Sequence, residues 1–300
     1  MTHIATLICN PGAPLLFPHV VERAQNVLAS QASPDWLDPS IAVDIRFRPG
    51  EDDLRDITSR LREQMQGAPV DVVIQQDDEH RRKRLFIADM DSTMIAQECI
   101  DELADVLGLK AKVAAITERA MRGEIAFEPA LRERVALLRG MSANVIQDVI
   151  RDRIRPNPGA ATLLATTRAH GARSCLVSGG FVHFVERVAD MLGFDESRAN
   201  ALLTDAAGTL NGFVAEPILG RAAKRDALVT LRNDLKLTPA QTLAVGDGAN
   251  DLDMLEEAGL GVAYHAKPKV AAAAHARIDY GDLTALLYTQ GYRREEFVEG

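Results

Sequence analysis

Four short, almost wholly apolar stretches constrain this chain most: Leu85-Phe86-Ile87-Ala88, Ser174-Cys175-Leu176-Val177, Thr242-Leu243-Ala244-Val245 and Leu260-Gly261-Val262-Ala263. A strand with one wet face alternates polar and apolar residues, whereas these have no polar face to offer. Such runs belong to parallel strands covered by helices on both sides. Helical spacing fills the intervals, over about 158–170, 181–193, 221–234, 250–258 and 267–275. Strand and helix in alternation predict an α/β class built on a doubly wound, Rossmann-like parallel sheet. Residues 98–155 break that rhythm. Leu103, Val106 and Leu107, then Val113 and Ile116, then Leu131, Val135 and Leu138 form apolar stripes with no strand between them. This segment reads as a helical cap inserted between the first two sheet strands.

Ahead of the sheet lies a differently patterned unit. Residues 3–9 and Ile41 to Phe47 read as strands, as does Val70 to Ile74, with helices over Phe17 to Ala29 and Asp52 to Met65. The order is β-α-β-α-β, a small α+β unit over residues 1–78. Residues 79–84 then read as a linker and 85–300 as the larger domain. The 300 residues, 47% of them hydrophobic, suffice for two cores. The basic run His80-Arg81-Arg82-Lys83-Arg84 reads as a solvated face of that linker.

Ligands of open α/β sheets sit beyond the carboxyl ends of the strands. Three strands here end in polar clusters: Asp89-Met90-Asp91-Ser92-Thr93, Ser178-Gly179-Gly180 and Gly246-Asp247-Gly248-Ala249-Asn250-Asp251. Side chains alternate along a strand, so an extended Asp89-Met90-Asp91 puts both carboxylates on one side. Like charges so close raise one pKa unless a cation neutralises them. One carboxylate then suits nucleophilic attack and the other proton transfer. Asp247 and Asp251 add hard oxygens with no nearby His or Cys, a donor set for Mg²⁺. A single Asp after a strand more often caps a helix; four acids on two strand ends argue otherwise. Ser92 and Thr93 offer hydroxyls and N–H groups, and Ser178-Gly179-Gly180 opens a helix where free N–H groups attract an anion. Lys224, near a helix start, suits phosphate oxygens, with Arg221 and Arg225 beside it as alternatives.

At these residues the chain resembles the haloacid-dehalogenase-like phosphohydrolases. Asp89-x-Asp91-Ser92-Thr93, Ser178, Lys224 and Gly246-Asp247-x-x-Asn250-Asp251 follow that family's four motifs in order, over about residues 84–280. Within it the chain is similar to the phosphoserine phosphatases, through Glu98, Met121-x-Gly123 with Phe127, Leu131-x-x-Arg134-Val135 and Ser178-Gly179-Gly180-Phe181. Residues 1–78 resemble an ACT-like domain in layout. The resemblance implies hydrolysis of O-phospho-L-serine, the last step of serine biosynthesis, through a phosphoaspartyl enzyme. It makes Asp89 the nucleophile and Asp91 the proton donor and base. One Mg²⁺ per site is held by Asp89, Asp247 and the Asp91 carbonyl, with Asp251 behind them. Ser92, Thr93, Ser178, Gly179, Gly180, Lys224 and Asn250 surround the phosphate. Glu98 receives the substrate ammonium, Arg134 its carboxylate, and Met121 and Phe127 wall the site.

Other classes are limited by charge and hydropathy. A net charge of −9 argues against a nucleic-acid partner. No apolar run reaches the roughly 18 residues of a membrane span, and residues 1–16 lack a signal-peptide pattern. Cys9, Cys99 and Cys175 are odd in number and widely spaced, a reduced, cytoplasmic pattern. Two readings stay open beside hydrolysis. One is phosphotransfer to an alcohol such as homoserine. The other is a regulatory role for residues 1–78, through an amino-acid ligand or pairing into a homodimer.

Overall fold

The computed structural model describes residues 2–65, 67–121 and 124–300. The front unit runs β1 (His3–Cys9), α1 (Pro18–Val27), β2 (Asp35–Asp38), β3 (Ala42–Phe47), α2 (Leu54–Gln64) and β4 (Val70–Gln76). Its strands form an antiparallel sheet in the order β2-β3-β1-β4, a split β-α-β arrangement. Helix α1 begins on Pro18, at a position whose missing N–H costs nothing. Helix α2 is capped by Asp53, whose carboxylate accepts the Arg55 N–H at 2.6 Å. The sequence pattern predicted one strand fewer, because β2 is four residues long with an acid at each end.

Alternation along these strands sends side chains to two covered faces. Leu7, Val43 and Ile45 pack against Val21, Ala24, Ile57 and Leu61 of the two helices. Ile8, Leu37, Ala42 and Val73 point the other way, into the core of the larger domain. Residues 79–84 are only partly the solvated spacer expected: Glu79, Arg82 and Arg84 are exposed, whereas Arg81 is drawn into this junction. Arg81, largely covered, lies against the buried Asp44, with Nη1–Oδ2 at 2.6 Å and Nη2–Oδ1 at 2.8 Å. It also reaches the main-chain oxygen of Thr289 at 3.1 Å. Arg82 pairs with Glu296 and lies 4.2 Å over the Tyr292 ring. The basic run staples two units together, a use of charge that its exposed-looking composition conceals.

The larger domain continues with β5 (Leu85–Ala88), the cap helices α3 (Cys99–Val106), α4 (Lys110–Met121), α5 (Phe127–Ala136) and α6 (Asn144–Arg153), then α7 (Ala160–Ala169), β6 (Arg173–Phe181) and α8 (Val182–Leu192). Next come β7 (Glu196–Asn200), the hairpin β8 (Leu202–Thr204) and β9 (Leu210–Val214), and α9 (Arg221–Asp234). The chain closes through β10 (Thr242–Gly246), α10 (Leu252–Glu257), β11 (Leu260–Tyr264), α11 (Pro268–Ala273), β12 (Ala276–Ile278) and α12 (Ala285–Thr289). Six strands form one parallel sheet in the order β12-β11-β10-β5-β6-β7.

Both faces of the central strands are dry, as their sequence requires. Leu85 and Ile87 pack with Leu228, Leu231, Met254 and Leu255 of α9 and α10. Phe86 and Ala88 pack on the opposite side, in the cluster that holds Leu163, Val185 and Tyr288. Order reverses at β5, so the first strand, β6 and β10 deliver their carboxyl ends to one edge. The cap is helical over the expected span and sits above that edge. It gains an unpredicted piece, the β8–β9 hairpin: Leu210 donates its N–H to the Met141 oxygen at 2.8 Å and accepts from Gly140 at 2.9 Å. Among the described residues no helix is long and apolar enough to cross a membrane.

Candidate active site

Where β5 ends, Asp89 still donates its N–H to the Val245 oxygen of β10, at 3.0 Å. Asp89 and Asp91 keep extended backbone (ψ 160° and 134°), and the reversal falls on Ser92, at φ +55°. Three hydrogen bonds fix that unusual turn. Ser92 N–H donates to the Gln97 oxygen at 3.2 Å, Ile95 N–H to the Met90 oxygen at 3.1 Å, and Asn157 Nδ2 to the Thr93 oxygen at 2.8 Å. Asp89 and Asp91 consequently face one cavity of about 540 Å³ between sheet and cap, within the range of small-molecule sites.

Asp247, at the end of β10, faces the same cavity. Asp251 lies beneath it, fully buried. Its approach depends on Gly246: a β-carbon there would stand 2.5 Å from the Asp251 carboxyl carbon. Carboxylate oxygens of Asp89, Asp247 and Asp251 come within 4.8 Å of one another. Three acids and no nitrogen or sulfur donor make a fitting seat for a hard divalent cation. Lys224, on the first turns of α9 and 1% exposed, bonds Asp89 Oδ1 and reaches Asp251 Oδ1 at 2.7 Å.

These charges shape one another. Burial pushes Asp89 well above the usual carboxylate range, Asp251 and Asp247 add to the rise, and Lys224 opposes it. Burial, reinforced by Glu98, lifts Asp91 to about 7. Burial and Asp251 lift Asp247 to about 6. Burial alone would lower Lys224, but the adjoining Asp251 and Asp89 carboxylates outweigh it and hold the ammonium charged. Asp91 Oδ1 is buried with no hydrogen-bond partner among the described residues, although such groups are rarely left orphaned. A carboxyl that titrates near neutrality and has an unused oxygen is suited to moving a proton.

The opposite wall is built for an anion and a charged side chain. Ser178 Oγ accepts the Gly180 N–H at 2.9 Å, closing a tight loop ahead of α8. Phe127 of the cap lies directly over Gly179, where a β-carbon would stand 3.0 Å from its Cζ. Glu98 Oε1 accepts the Ser92 hydroxyl at 2.7 Å. Arg134 is anchored by Nε to the Ala130 oxygen at 3.3 Å and by Nη1 to Thr117 Oγ1 at 3.4 Å. Glu98 and Arg134 therefore present opposite charges to one cavity.

A model of the haloacid dehalogenase-like hydrolases matches residues 86–256, which span β5 to α10 and contain every acid of the site. The chain belongs to that family. A curated phosphoserine phosphatase of Polaromonas sp. (strain JS666) is 49% identical over 209 residues, covering 68% of this chain and 88% of its own. Among solved structures, a haloacid dehalogenase family hydrolase from Salmonella enterica serovar Typhi superposes with TM-score 0.86 at 29% identity, covering 96% of this chain and 98% of that one. An unliganded probable phosphoserine phosphatase from Vibrio cholerae gives 0.77 at 30% identity, covering 98% and 88%. Both likenesses extend through the front unit.

Against that family pattern, the structure places Asp89, Asp91, Glu98, Phe127, Arg134, Ser178, Gly179, Gly180, Asp247 and Asn250 around the cavity. Thr93 is buried beneath, with Oγ1 3.5 Å from Asp247 Oδ1. Met121 ends α4; the expectation for its side chain, and Gly123, lie outside the described residues. Of the three basic candidates on α9, Arg221 also lines the cavity, and the ion pairs distinguish them. Arg221 pairs with Asp253 and Arg225 with Glu257, leaving Lys224 as the one among the carboxylates. Sequence reasoning passed over Thr117 and the rim residues Lys267 and Lys269, and Asn157, which holds the Thr93 oxygen. None lies in a strand-end cluster, so only their neighbours in space disclose them.

Proposed function

We propose that this chain hydrolyses O-phospho-L-serine to serine and phosphate, with Asp89 as nucleophile and Asp91 as acid and base. The observation that carries the chemistry is the near-neutral Asp91 carboxyl, one of its oxygens buried without a partner among the described residues, beside Asp89 in one cavity. An Asp89 oxygen attacks phosphorus, and the bond from phosphorus to the serine oxygen breaks as Asp91 delivers its proton there. Asp91, now ionised, takes a proton from water as that water attacks the phosphoaspartate, releasing phosphate and restoring both acids. Lys224 opposes the rise in the Asp89 pKa and so favours its ionised, attacking form; with Ser178, the Gly179 N–H and the Gly180 N–H in exchange for its bond to Ser178 Oγ, it balances charge on the phosphoryl oxygens. Ser92, Thr93 and Asn250 complete that shell. Asp89, Asp247 and the Asp91 carbonyl would hold one Mg²⁺, backed by Asp251. Such a cation supplies charge neutralisation at the phosphoryl oxygens.

Specificity for a phosphoamino acid is supported by the Glu98–Arg134 pair. Glu98 receives an ammonium in exchange for its Ser92 hydrogen bond, and the Arg134 fork suits a carboxylate. Phe127 excludes water. The phosphoserine phosphatase relatives support the same substrate. Residues 1–78 are read as an ACT-like unit. With both sheet faces covered, an amino-acid effector or a second copy would meet its helices or the β2 edge. Three free, buried thiols support a reducing, cytoplasmic setting.

Phosphate release from a panel of phosphomonoesters, with and without Mg²⁺ and with added homoserine, tests the reading. Phosphoserine should lead and chelation should abolish turnover. Faster release from sugar phosphates, or phosphohomoserine in place of free phosphate, would sink it.

A further inference from the structure

Strand β7 carries an amide that touches both anion-facing loops. Pairing between β6 and β7 runs in register to Val177↔Arg198, then skips to Phe181↔Asn200. Ser178-Gly179-Gly180 bulge out of the ladder in that gap, and a bulge without support is free to shift. Asn200, 3% exposed, fills it. Its Nδ2 donates to the Gly179 oxygen at 2.9 Å and to the Leu219 oxygen at 3.2 Å, while its Oδ1 accepts the Leu219 N–H at 2.6 Å.

The partners dictate the amide's orientation. Carbonyl oxygens only accept and an N–H only donates, so both protons and the oxygen are committed. Leu219 is followed by Gly220, whose oxygen accepts the Lys224 N–H at 3.2 Å in the first turn of α9. One side chain thus bonds the Ser178–Gly180 loop on one side and the lead-in to Lys224 on the other. Aspartate has the same shape but cannot donate, and would face two carbonyl oxygens with a carboxylate.

We infer that Asn200 is a positioning residue that clamps the Ser178–Gly180 loop to the segment leading into Lys224, fixing the spacing of the two groups that receive the phosphoryl oxygens. The inference rests on the phosphate-site reading above but not on serine as the leaving group.

The experiment uses two probes without a serine moiety: inorganic phosphate with Mg²⁺, by calorimetry, and turnover of p-nitrophenyl phosphate. Asn200→Asp is compared with Leu164→Ala, a buried change in α7 that lowers the melting temperature away from the site. Misplacement near 1 Å costs up to about a hundredfold, so Asn200→Asp should lose roughly ten- to a hundredfold in phosphate affinity and in kcat/KM together. Leu164→Ala should bind phosphate like the unsubstituted chain. If Asn200→Asp does not fold, Asn200→Ser, too short to reach both carbonyls, carries the comparison. Phosphate affinity within about twofold of the unsubstituted chain, or an equal loss in Leu164→Ala, overturns the inference. An unsubstituted chain that turns over p-nitrophenyl phosphate but not phosphoserine defeats the substrate assignment alone. One that neither binds phosphate nor turns over defeats both.

Discussion

Replacing Arg81 by Met removes the cation from a nearly dry junction. Asp44 is 1% exposed and Arg81 11%, so the carboxylate left behind has no access to water. Lost with the guanidinium are its two bonds to Asp44, one to Thr6 Oγ1 at 3.1 Å, and those to the Thr289 and Tyr288 oxygens at 3.1 and 3.3 Å. Stranding one member of a buried pair costs about 3–5 kcal/mol. For a chain of this size that lowers Tm by roughly 5–8 °C. Trp36 is the single tryptophan and lies on β2 beside the junction, where Arg293 Nη1 donates to its main-chain oxygen at 2.7 Å. Its fluorescence during urea unfolding is therefore a local reporter. Adding Asp44→Leu to Arg81→Met should restore most of the loss, since an apolar pair replaces the ionic one. About 1 kcal/mol should stay missing, because Thr6 Oγ1 loses the acceptor it donates to at 2.8 Å. A single substitution costing under about 1 kcal/mol, or a double substitution no better than the single, would refute the reasoning.

Asp91→Asn should slow phosphoserine hydrolysis by about 10²–10⁴-fold; with p-nitrophenyl phosphate, whose leaving group needs no proton, a stopped-flow burst of p-nitrophenolate should survive. With Asp91 raised to about 7, the protonated acid persists to neutrality. The rate of phosphoenzyme formation from phosphoserine should then fall as pH rises through about 7, and quench-flow below and above that point reads it. Arg134→Lys should raise KM for phosphoserine by roughly tenfold with little change for p-nitrophenyl phosphate, because an ammonium cannot grip a carboxylate with two parallel bonds. Burial raises the pKa of Cys9, Cys99 and Cys175, which keeps them as unreactive thiols. A chromogenic disulfide should therefore find none of the three in the native protein and all three after unfolding.

The sheet was legible because its central strands have no polar face to misread: β5, β10 and β11 appear within a residue of their predicted spans. Its edges were not. Strand β7 begins Glu196-Ser197-Arg198, and β12 is Ala276-Arg277-Ile278, so neither carries a dry run of its own. Both are strands only because a neighbour offers hydrogen bonds. The site divides the same way. Asp89, Asp91, Asp247 and Asp251 announce themselves by charge density at strand ends, whereas Glu98, Phe127 and Arg134 stood out only through family resemblance. Asn200 had no signal at all, since an asparagine closing a polar edge strand looks like a turn residue. Arg81 was misjudged because a run of basic residues resembles a solvated surface until Asp44 is known to lie opposite.

The junction also sets an order of events at the ribosome. The sheet of the front unit is complete once residue 76 has emerged, yet the groups that cover its second face come much later: Tyr288, whose hydroxyl donates to Asp38 at 2.6 Å, and Arg293, which pairs with Asp35 at 2.6 Å. At 5–20 residues per second that interval is on the order of 10–40 s. Throughout it a nascent chain displays the apolar Ile8, Leu37, Ala42 and Val73 with their covering residues not yet made. For this protein, the speed of translation and the presence of a holding chaperone bear on yield as directly as the stability of the finished fold.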